Sequence, residues 1–321
     1  MPDPPPVPDR HVHTQWSWDA AFGDMEATCA HAVALGLPAL AFTEHADFNA
    51  WLPCPAAADG AAAAGSRKDP GPAGRPAHAN RWDWSPGRIP GHRWPVRMPV
   101  SPTRSGYLDI SGYWEAIDRC RAAYPGLHIE SGAELGEPNL FPDQVARLLA
   151  HRPLDRILGS MHCVAIDGEL VDVSVPEVLS PEHAASRFRR YLSATRELAE
   201  SSAPFAILAH LDYAKRYWPH HDVPFDERDF EEEYRAVLAA LARSGRALEV
   251  NSSRAMGPPR GPCPGPLPLR WWHEVGGEAV SFGSDAHRPE DLAAGLSDAA
   301  AMAEAAGFRP AGDPLPLWLR S

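Results

Sequence analysis

The sequence predicts an α/β protein built on a parallel sheet, of a length that suits one α/β barrel with insertions. Two observations lead there. Seven short apolar, strand-like segments alternate with helix-like ones along the 321 residues. Six of the seven segments end in a potential metal ligand: His11 and His13 in DRHVHT, His45 in LPALAFTEH, Glu134 in LHIESGAELGE, His162 in DRILGSMH, His210 in PFAILAH, and Asp285 with His287 in AVSFGSDAH. In a parallel α/β barrel the C-terminal strand ends converge on one face, where active sites sit. The pattern therefore reads as one polynuclear metal site assembled by the fold.

The elements follow in order. Residues 1–9 are a proline-rich arm, and a short strand covers Arg10–His13. Asp24 is placed to cap a helix over Met25–Leu35, which Gly36 stops. The continuous apolar run Leu37–Thr43 is a buried strand. Residues 48–106 are dense in Pro, Ala, Gly and Arg without a sustained period, and read as a long, largely irregular insertion within a single domain over 1–321. This stretch also holds Trp51, Trp82, Trp84 and Trp94 beside Arg81, Arg88, Arg93 and Arg97, so two readings stand: a lid over the barrel mouth or a loose surface excursion. Alternation resumes with a helix at Ser111–Ala123, a strand at Leu127–Gly132 and a helix at Pro142–Ala150 with proline in its first turn. Next come a strand at Asp155–Ser160, a helix at Pro181–Ser201, a strand at Phe205–Ala209 and a helix at Asp226–Ser244 closed by Gly245. The chain ends with a strand at Ala247–Val250, a helix at Leu267–Val275, a strand at Ala279–Phe282 and a helix at Pro289–Ala306.

The bulk numbers exclude several classes. A net charge of −12 opposes a nucleic-acid footprint, which needs a basic face. It leaves an anionic substrate open, because bound divalent metals dominate a local field. The five cysteines are odd in number, far apart and without a C-x-x-C, which argues against a disulfide framework or a thiolate zinc site. The N-terminal MPDPPPVPDR has neither the basic nor the apolar region of a secretory signal, and no run reaches the ~18 apolar residues of a membrane span. A soluble cytoplasmic protein is the expectation.

The ligand candidates differ in weight. His11 and His13, two apart on a strand, share a face and can chelate one metal. Glu134 has two oxygens and can bridge two metals, with Glu137 a nearby competitor. Asp285 can complete the first metal while His287 turns toward another. A single histidine such as His162 or His210 is more often structural, and Asp19 in WSWDA equally suits a cap or loop; their joint occurrence at strand ends shifts the balance. His31, His78, His92, His128, His151, His183, His220, His221 and His273 fall elsewhere and are excluded.

The pieces DRHVHT, FTEHA, GAELG, GSMH, AHLDYAKRY, EVNSS and GSDAH resemble, in order, the polymerase-and-histidinol-phosphatase (PHP) superfamily, specifically its histidinol-phosphatase-like branch, over residues 10–50 and 107–310. The resemblance implies a distorted (β/α)7 TIM-like barrel holding three metals. By it His11, His13, Glu134 and Asp285 hold the first metal, Glu134 bridges to a second held by His162 and His210, and Asp19, His45 and His287 hold the third. Two departures stand out: the insertion is longer than the branch suggests, and Asp19 sits where related phosphatases often have histidine.

An all N/O ligand set suits two or three divalent ions of zinc, manganese or iron. Such a cluster hydrolyses phosphate monoesters with a metal-activated water, and no P-loop or G-x-S-x-G is present. His11, His13, Glu134, Asp285 and His287 are thereby the residues expected to carry catalysis. Lys215, Arg216 and Arg254 follow strand ends closely enough to reach a phosphate, and Glu137 or Asp212 to reach a substrate amine. The leading substrate is L-histidinol phosphate, a small phosphorylated metabolite of histidine biosynthesis. A phosphodiesterase or exonuclease acting on nucleotides or short oligonucleotides is the second reading, kept alive by the Trp/Arg-rich insertion. A non-catalytic metal-binding module is the third, and the full ligand set opposes it.

Overall fold

Regular structure in the computed structural model, which describes residues 7–20, 22–48, 108–253, 261–311 and 317–321, starts with β1 (Asp9–Val12), α1 (Met25–Ala34), β2 (Ala39–Asp47) and α2 (Ile110–Ala123). Next come β3 (His128–Gly136), α3 (Pro142–Leu149), β4 (Arg156–Ser160) and a hairpin of β5 (Cys163–Ile166) and β6 (Glu169–Asp172). The second half runs α4 (Ala184–Glu200), β7 (Ile207–Leu208), α5 (Glu231–Arg243), β8 (Ala247–Asn251), α6 (Pro266–Glu274), β9 (Ala279–Gly283), α7 (Leu296–Ala305), β10 (Phe308–Pro310) and β11 (Trp318–Arg320).

The main sheet has the order β1-β2-β3-β4-β7-β8-β9-β11-β10. Its first seven strands are mutually parallel, and β11 and β10 add an antiparallel flap. The sheet curls until β1 meets the chain leaving β9. There Asp285 N–H donates to the His11 carbonyl and His13 N–H to the Ala286 carbonyl, both at 2.8 Å. Seven parallel strands are thus joined into a ring just beyond β9: the parallel sheet that the alternation predicts, closed as the distorted TIM-like barrel that the resemblance implies. Gly283 makes this seam possible, because a Cβ there would stand 2.2 Å from His11 Cβ.

Below the mouth the barrel is filled by Leu158, Ile207, Ala209, Ala247 and Ala279. Two outer cores lie between sheet and helices. One gathers Met25, Leu40, Phe42, Tyr113, Ile117 and Leu148 under α1–α3. The other gathers Phe188, Tyr191, Tyr234, Trp272 and Phe308 under α4–α7. Each fully buried side chain of this size contributes about 1.5–3 kcal/mol.

Local signals hold where they are strongest. Asp24 caps α1 by accepting from Ala27 N–H at 2.8 Å, Gly36 takes φ +69° after it, Pro142 opens α3, and Gly245 takes φ +68° after α5. Several boundaries move. The helix expected at Pro181–Ser201 begins at Ala184, and the one at Asp226–Ser244 opens with a 3-10 turn at Glu227–Phe230. The last helix is split, because Ala293 and Gly295 take positive φ between a 3-10 turn at Pro289–Asp291 and α7. The β5–β6 hairpin and the β10–β11 flap were not foreseen. The expected insertion at 48–106 lies, from residue 49 on, outside the described residues. No helix among the described residues is long and apolar enough to cross a membrane, and the described cysteines Cys29, Cys120, Cys163 and Cys263 are free thiols.

Candidate metal centre

Every expected ligand arrives at the C-terminal mouth of the barrel. β1 carries His11, with His13 one residue past its end, and β2 and β3 carry His45 and Glu134 as directly paired neighbours. His162 and His210 each follow the last residue of β4 and β7 by two, and Asp285 and His287 follow β9. Asp19 comes from the loop between β1 and α1. His11, His13, His45, Glu134, His162, His210 and Asp285 are all buried, while His287 and Asp19 are 29% and 16% exposed at the rim.

The donor atoms converge in overlapping groups. His11 Nε2 and His13 Nε2 are 2.9 Å apart. Glu134 Oε2 lies 3.2 Å from the first and 3.3 Å from the second, and Asp285 Oδ1 lies 3.3 Å from His13 Nε2. On the other side of the same carboxylate, Glu134 Oε1 meets His210 Nε2 at 2.6 Å and His162 Nε2 at 3.2 Å. At the rim Asp19 Oδ2 lies 3.0 Å from His287 Nε2 and 3.4 Å from His45 Nε2. Four triads of donors, His11/His13/Asp285, His11/Glu134/His210, His45/Glu134/His162 and His13/His45/His287, each fall within the span of a single ion. Glu134 thus divides its two oxygens between two sets of imidazoles.

A ring of supporting bonds fixes these side chains. His11 Nδ1 meets Glu249 Oε1 at 2.6 Å, His13 Nδ1 meets Ser17 Oγ at 3.0 Å, and His162 Nδ1 meets Asp47 Oδ1 at 3.3 Å. Ser17 in turn donates to Glu44 at 2.6 Å, and Ser160 donates to Glu134 at 2.5 Å. Such partners hold an imidazole with its other nitrogen aimed at a metal. His210 (φ +21°) and Asp285 (φ +56°) sit in the left-handed region, a local strain typical of functional sites.

The electrostatics call for cations. Burial by itself would neutralise Glu134, but His11, His45, His162 and His210 hold it well below the usual carboxylate range. Asp285 and Asp19 are held low against burial in the same way, the first by His11 and Arg216, the second by His287 and His45. The imidazoles respond in the opposite sense. Burial opposes their charge, yet Glu249 and Glu134 raise His11, and Glu134 and Asp47 raise His162, well above the normal value. Asp19 with Glu134 raises His45 to about 10, and Asp19 with Asp285 raises His287 to about 9. Burial prevails at His210, which is lowered. Protons or metal ions can balance this cluster, and they compete for the same nitrogens. The residues fit metal: Asp19 Oδ1 is buried with no hydrogen-bond partner among the described residues, and the donor set is nitrogen and oxygen throughout.

The anion-binding candidates divide. Arg216 is buried beside the cluster, with Nη1 2.9 Å from Asp285 Oδ2 and Nη2 2.7 Å from Asn251 Oδ1. Lys215 corrects the expectation placed on it. Its ammonium is buried 2.9 Å from Asp212 Oδ2 and 2.8 Å from the Pro262 carbonyl, an internal ion pair rather than a phosphate contact. Asp212 Oδ2 also accepts from the Tyr234 hydroxyl at 2.8 Å, while its Oδ1 is buried without a hydrogen-bond partner among the described residues. Glu137 is likewise turned inward, accepting from the N–H groups of His162 and Cys163 at 2.6 and 2.8 Å. Arg254 lies outside the described residues. Sequence reasoning missed Glu249 and Asp47, although each was legible: Asp47 repeats the two-residue spacing after His45, and Glu249 shares a strand face with Asn251.

Known proteins resemble this chain in sequence and in fold. The histidinol-phosphatase of Lactococcus lactis subsp. lactis is 25% identical over 202 residues, 63% of this chain and 74% of that protein. A protein of Clostridium acetobutylicum named probable histidinol-phosphatase is 23% identical over 204 residues, 63% of this chain and 76% of its own length. The crystal structure of the Lactococcus lactis histidinol phosphate phosphatase, complexed with zinc, L-histidinol and phosphate, superposes with a TM-score of 0.69 at 22% identity, covering 94% of each chain. The PHP domain matches residues 9–253, three quarters of the sequence, and the chain belongs to the PHP domain family.

Proposed function

We propose that this chain is a metal-dependent phosphatase that hydrolyses L-histidinol phosphate to L-histidinol and inorganic phosphate. The observation that carries the reading is the Glu134 carboxylate, fully buried and shared between His11 and His13 on one oxygen and His162 and His210 on the other. Two or three divalent ions of zinc, manganese or iron are the cofactors this set suits. His11, His13, Glu134 and Asp285 would hold the first, Glu134, His162 and His210 the second, and Asp19, His45 and His287 the third. When bound, such ions polarise phosphoryl oxygens, acidify a water and stabilise charge on the leaving oxygen. The names of the Lactococcus and Clostridium relatives support the choice of ester.

The chain's own residues have defined tasks in this reading. Glu249, Ser17 and Asp47 orient His11, His13 and His162. Arg216 places a fixed positive charge beside the cluster, its fork held by Asp285 and Asn251. Ser17 and Ser160 donate to Glu44 and Glu134 and so help to fix the carboxylates beside the imidazoles. The all nitrogen-and-oxygen donor set favours a metal-activated water as the attacking group.

The test is metal content of the purified chain, measured with phosphate release from L-histidinol phosphate and a panel of other monoesters, nucleotides and short oligonucleotides. Two or three ions per chain and fastest turnover of histidinol phosphate are expected. His13→Ala and Glu134→Ala should reduce turnover to background while the protein stays folded. Full activity in either variant would sink the site assignment. Activity confined to nucleotides or oligonucleotides would replace the phosphatase by the phosphodiesterase reading.

A further inference from the structure

We infer that Glu249 is the positioning residue that sets the first and second metal positions together and leaves the third untouched. The inference rests on the metal-dependent reading above and assigns a task to a residue outside the ligand set. Glu249 is 1% exposed, on β8, and both its oxygens face ligand-bearing chain. Oε1 lies 2.6 Å from His11 Nδ1. Oε2 accepts from the His210 backbone N–H at 2.9 Å and from Asn251 Nδ2 at 3.1 Å. Asn251 carries the connection onward, since its Nδ2 lies 3.4 Å from Asp285 Oδ2 and its Oδ1 accepts from Arg216.

Each contact has a physical consequence. An acceptor at His11 Nδ1 keeps the proton on that nitrogen and leaves Nε2, which faces His13 and Glu134, free to ligate. The bond to His210 N–H holds a residue whose φ of +21° is unfavourable for any side chain with a Cβ. Space for the carboxylate is built in, because a Cβ on Gly283 would stand 2.6 Å from Glu249 Oε1. Both oxygens act only as acceptors. A glutamine of the same volume must turn its NH2 against one of these donors, so it can serve His11 or His210 but not both. No hydrogen bond among the described residues joins Glu249 to Asp19, His45 or His287; His45 Nδ1 faces Glu134 Oε2 at 3.1 Å and Asp47 Oδ2 at 3.6 Å, and His287 Nδ1 meets the Asp285 carbonyl at 2.9 Å.

The experiment uses the full chain stripped with chelator and equilibrated against buffered free zinc. E249Q should bind two ions about 10–100-fold more weakly than the natural protein, the range for loss of a residue supporting a ligand. It should keep the ion that His287→Ala loses, and in the zinc-loaded protein it should lose or shift either the downfield His11 Nδ1–H resonance or the His210 backbone N–H resonance, according to which donor the amide faces. E249D, which restores the charge at shorter reach, should recover part of the affinity. If E249Q does not fold, E249D is read alone and should show a smaller loss at the same two positions. Unchanged binding with both resonances retained in place, or equal weakening of every ion in a folded variant, overturns the inference and leaves the metal reading intact. A natural protein that takes up no zinc overturns both.

Discussion

Lowering the pH should strip the metal centre long before it unfolds the barrel. The size of the effect follows from the imidazoles. In the metal-free fold neighbouring carboxylates raise His11 and His162 above the normal value, and raise His45 to about 10 and His287 to about 9, so the last two rings carry protons at neutral pH. Glu134, Asp285 and Asp19 are already ionised and release nothing. A ring must give up its proton to ligate. Displacing these two protons weakens metal loading by about 100-fold in total per pH unit, ~3 kcal/mol. The window runs from about pH 6.5 to about 9. Stability of the metal-free protein moves the other way. A raised histidine stabilises the fold fully below its unfolded value near 6.5, and this contribution is lost as pH climbs through the folded values of about 9 and 10. The gap in Tm between metal-loaded and metal-stripped protein should therefore widen from pH 6.5 to pH 9. Calorimetric zinc titrations in two buffers of different ionisation heat count the protons directly. Release of fewer than one proton per chain, or an affinity flat across the window, would refute the argument, because the rings would then be neutral without metal.

Two further perturbations probe the frame. Gly283→Ala puts a Cβ 2.2 Å from His11 Cβ at the barrel seam and should cost about 1–3 kcal/mol in chemical denaturation, together with zinc lost from the first position; a variant with natural stability and metal content would show that the seam yields. Deleting residues 55–102 should leave one cooperative unfolding transition, since Phe48 and Leu108 on the flanks are both buried in the same apolar core; loss of cooperative folding would make the insertion part of that core.

The sequence displayed the barrel better than the lengths of its strands. β2 and β3 were read to Thr43 and Gly132, where the apolar runs stop, yet they continue to Asp47 and Gly136 in unbroken register. The run stops because inward positions change from packing to ligation, as at His45 and Glu134, while the backbone ladder has no reason to end. β7 shows the converse: the apolar run at Phe205–Ala209 yields only Ile207–Leu208 as strand, with His210 beyond it in a left-handed conformation that ends pairing. The β5–β6 hairpin was written plainly as Asp167-Gly168, both at positive φ as a tight two-residue turn requires, but it lies between larger signals. Lys215 was half legible: Asp212 lies three residues before it, within reach of an i,i+3 ion pair, whereas the Pro262 carbonyl is far off in sequence and stands beside Cys263, which pairs with Asn251.

The charge arrangement explains why so many polar groups share one barrel mouth. Asp19, Asp47, Glu134, Glu249 and Asp285 stand among six imidazoles, with Arg216 as the permanent cation bonded to them. Burying one unpaired carboxylate costs several kcal/mol, and an arrangement of five must be compensated by charge within reach. In the metal-free protein protons on imidazoles such as His45 and His287 provide it, in a cluster whose rings crowd one another: His11 Nε2 and His13 Nε2 are 2.9 Å apart, and the His13 and His45 rings stack at 4.2 Å. Added protons there bring like charges together, so proton compensation is self-limiting. Divalent ions held by these nitrogens and the Glu134 oxygens would relieve the conflict, since they would replace the crowded protons. Metal binding would then return the stability that this charged mouth costs the fold.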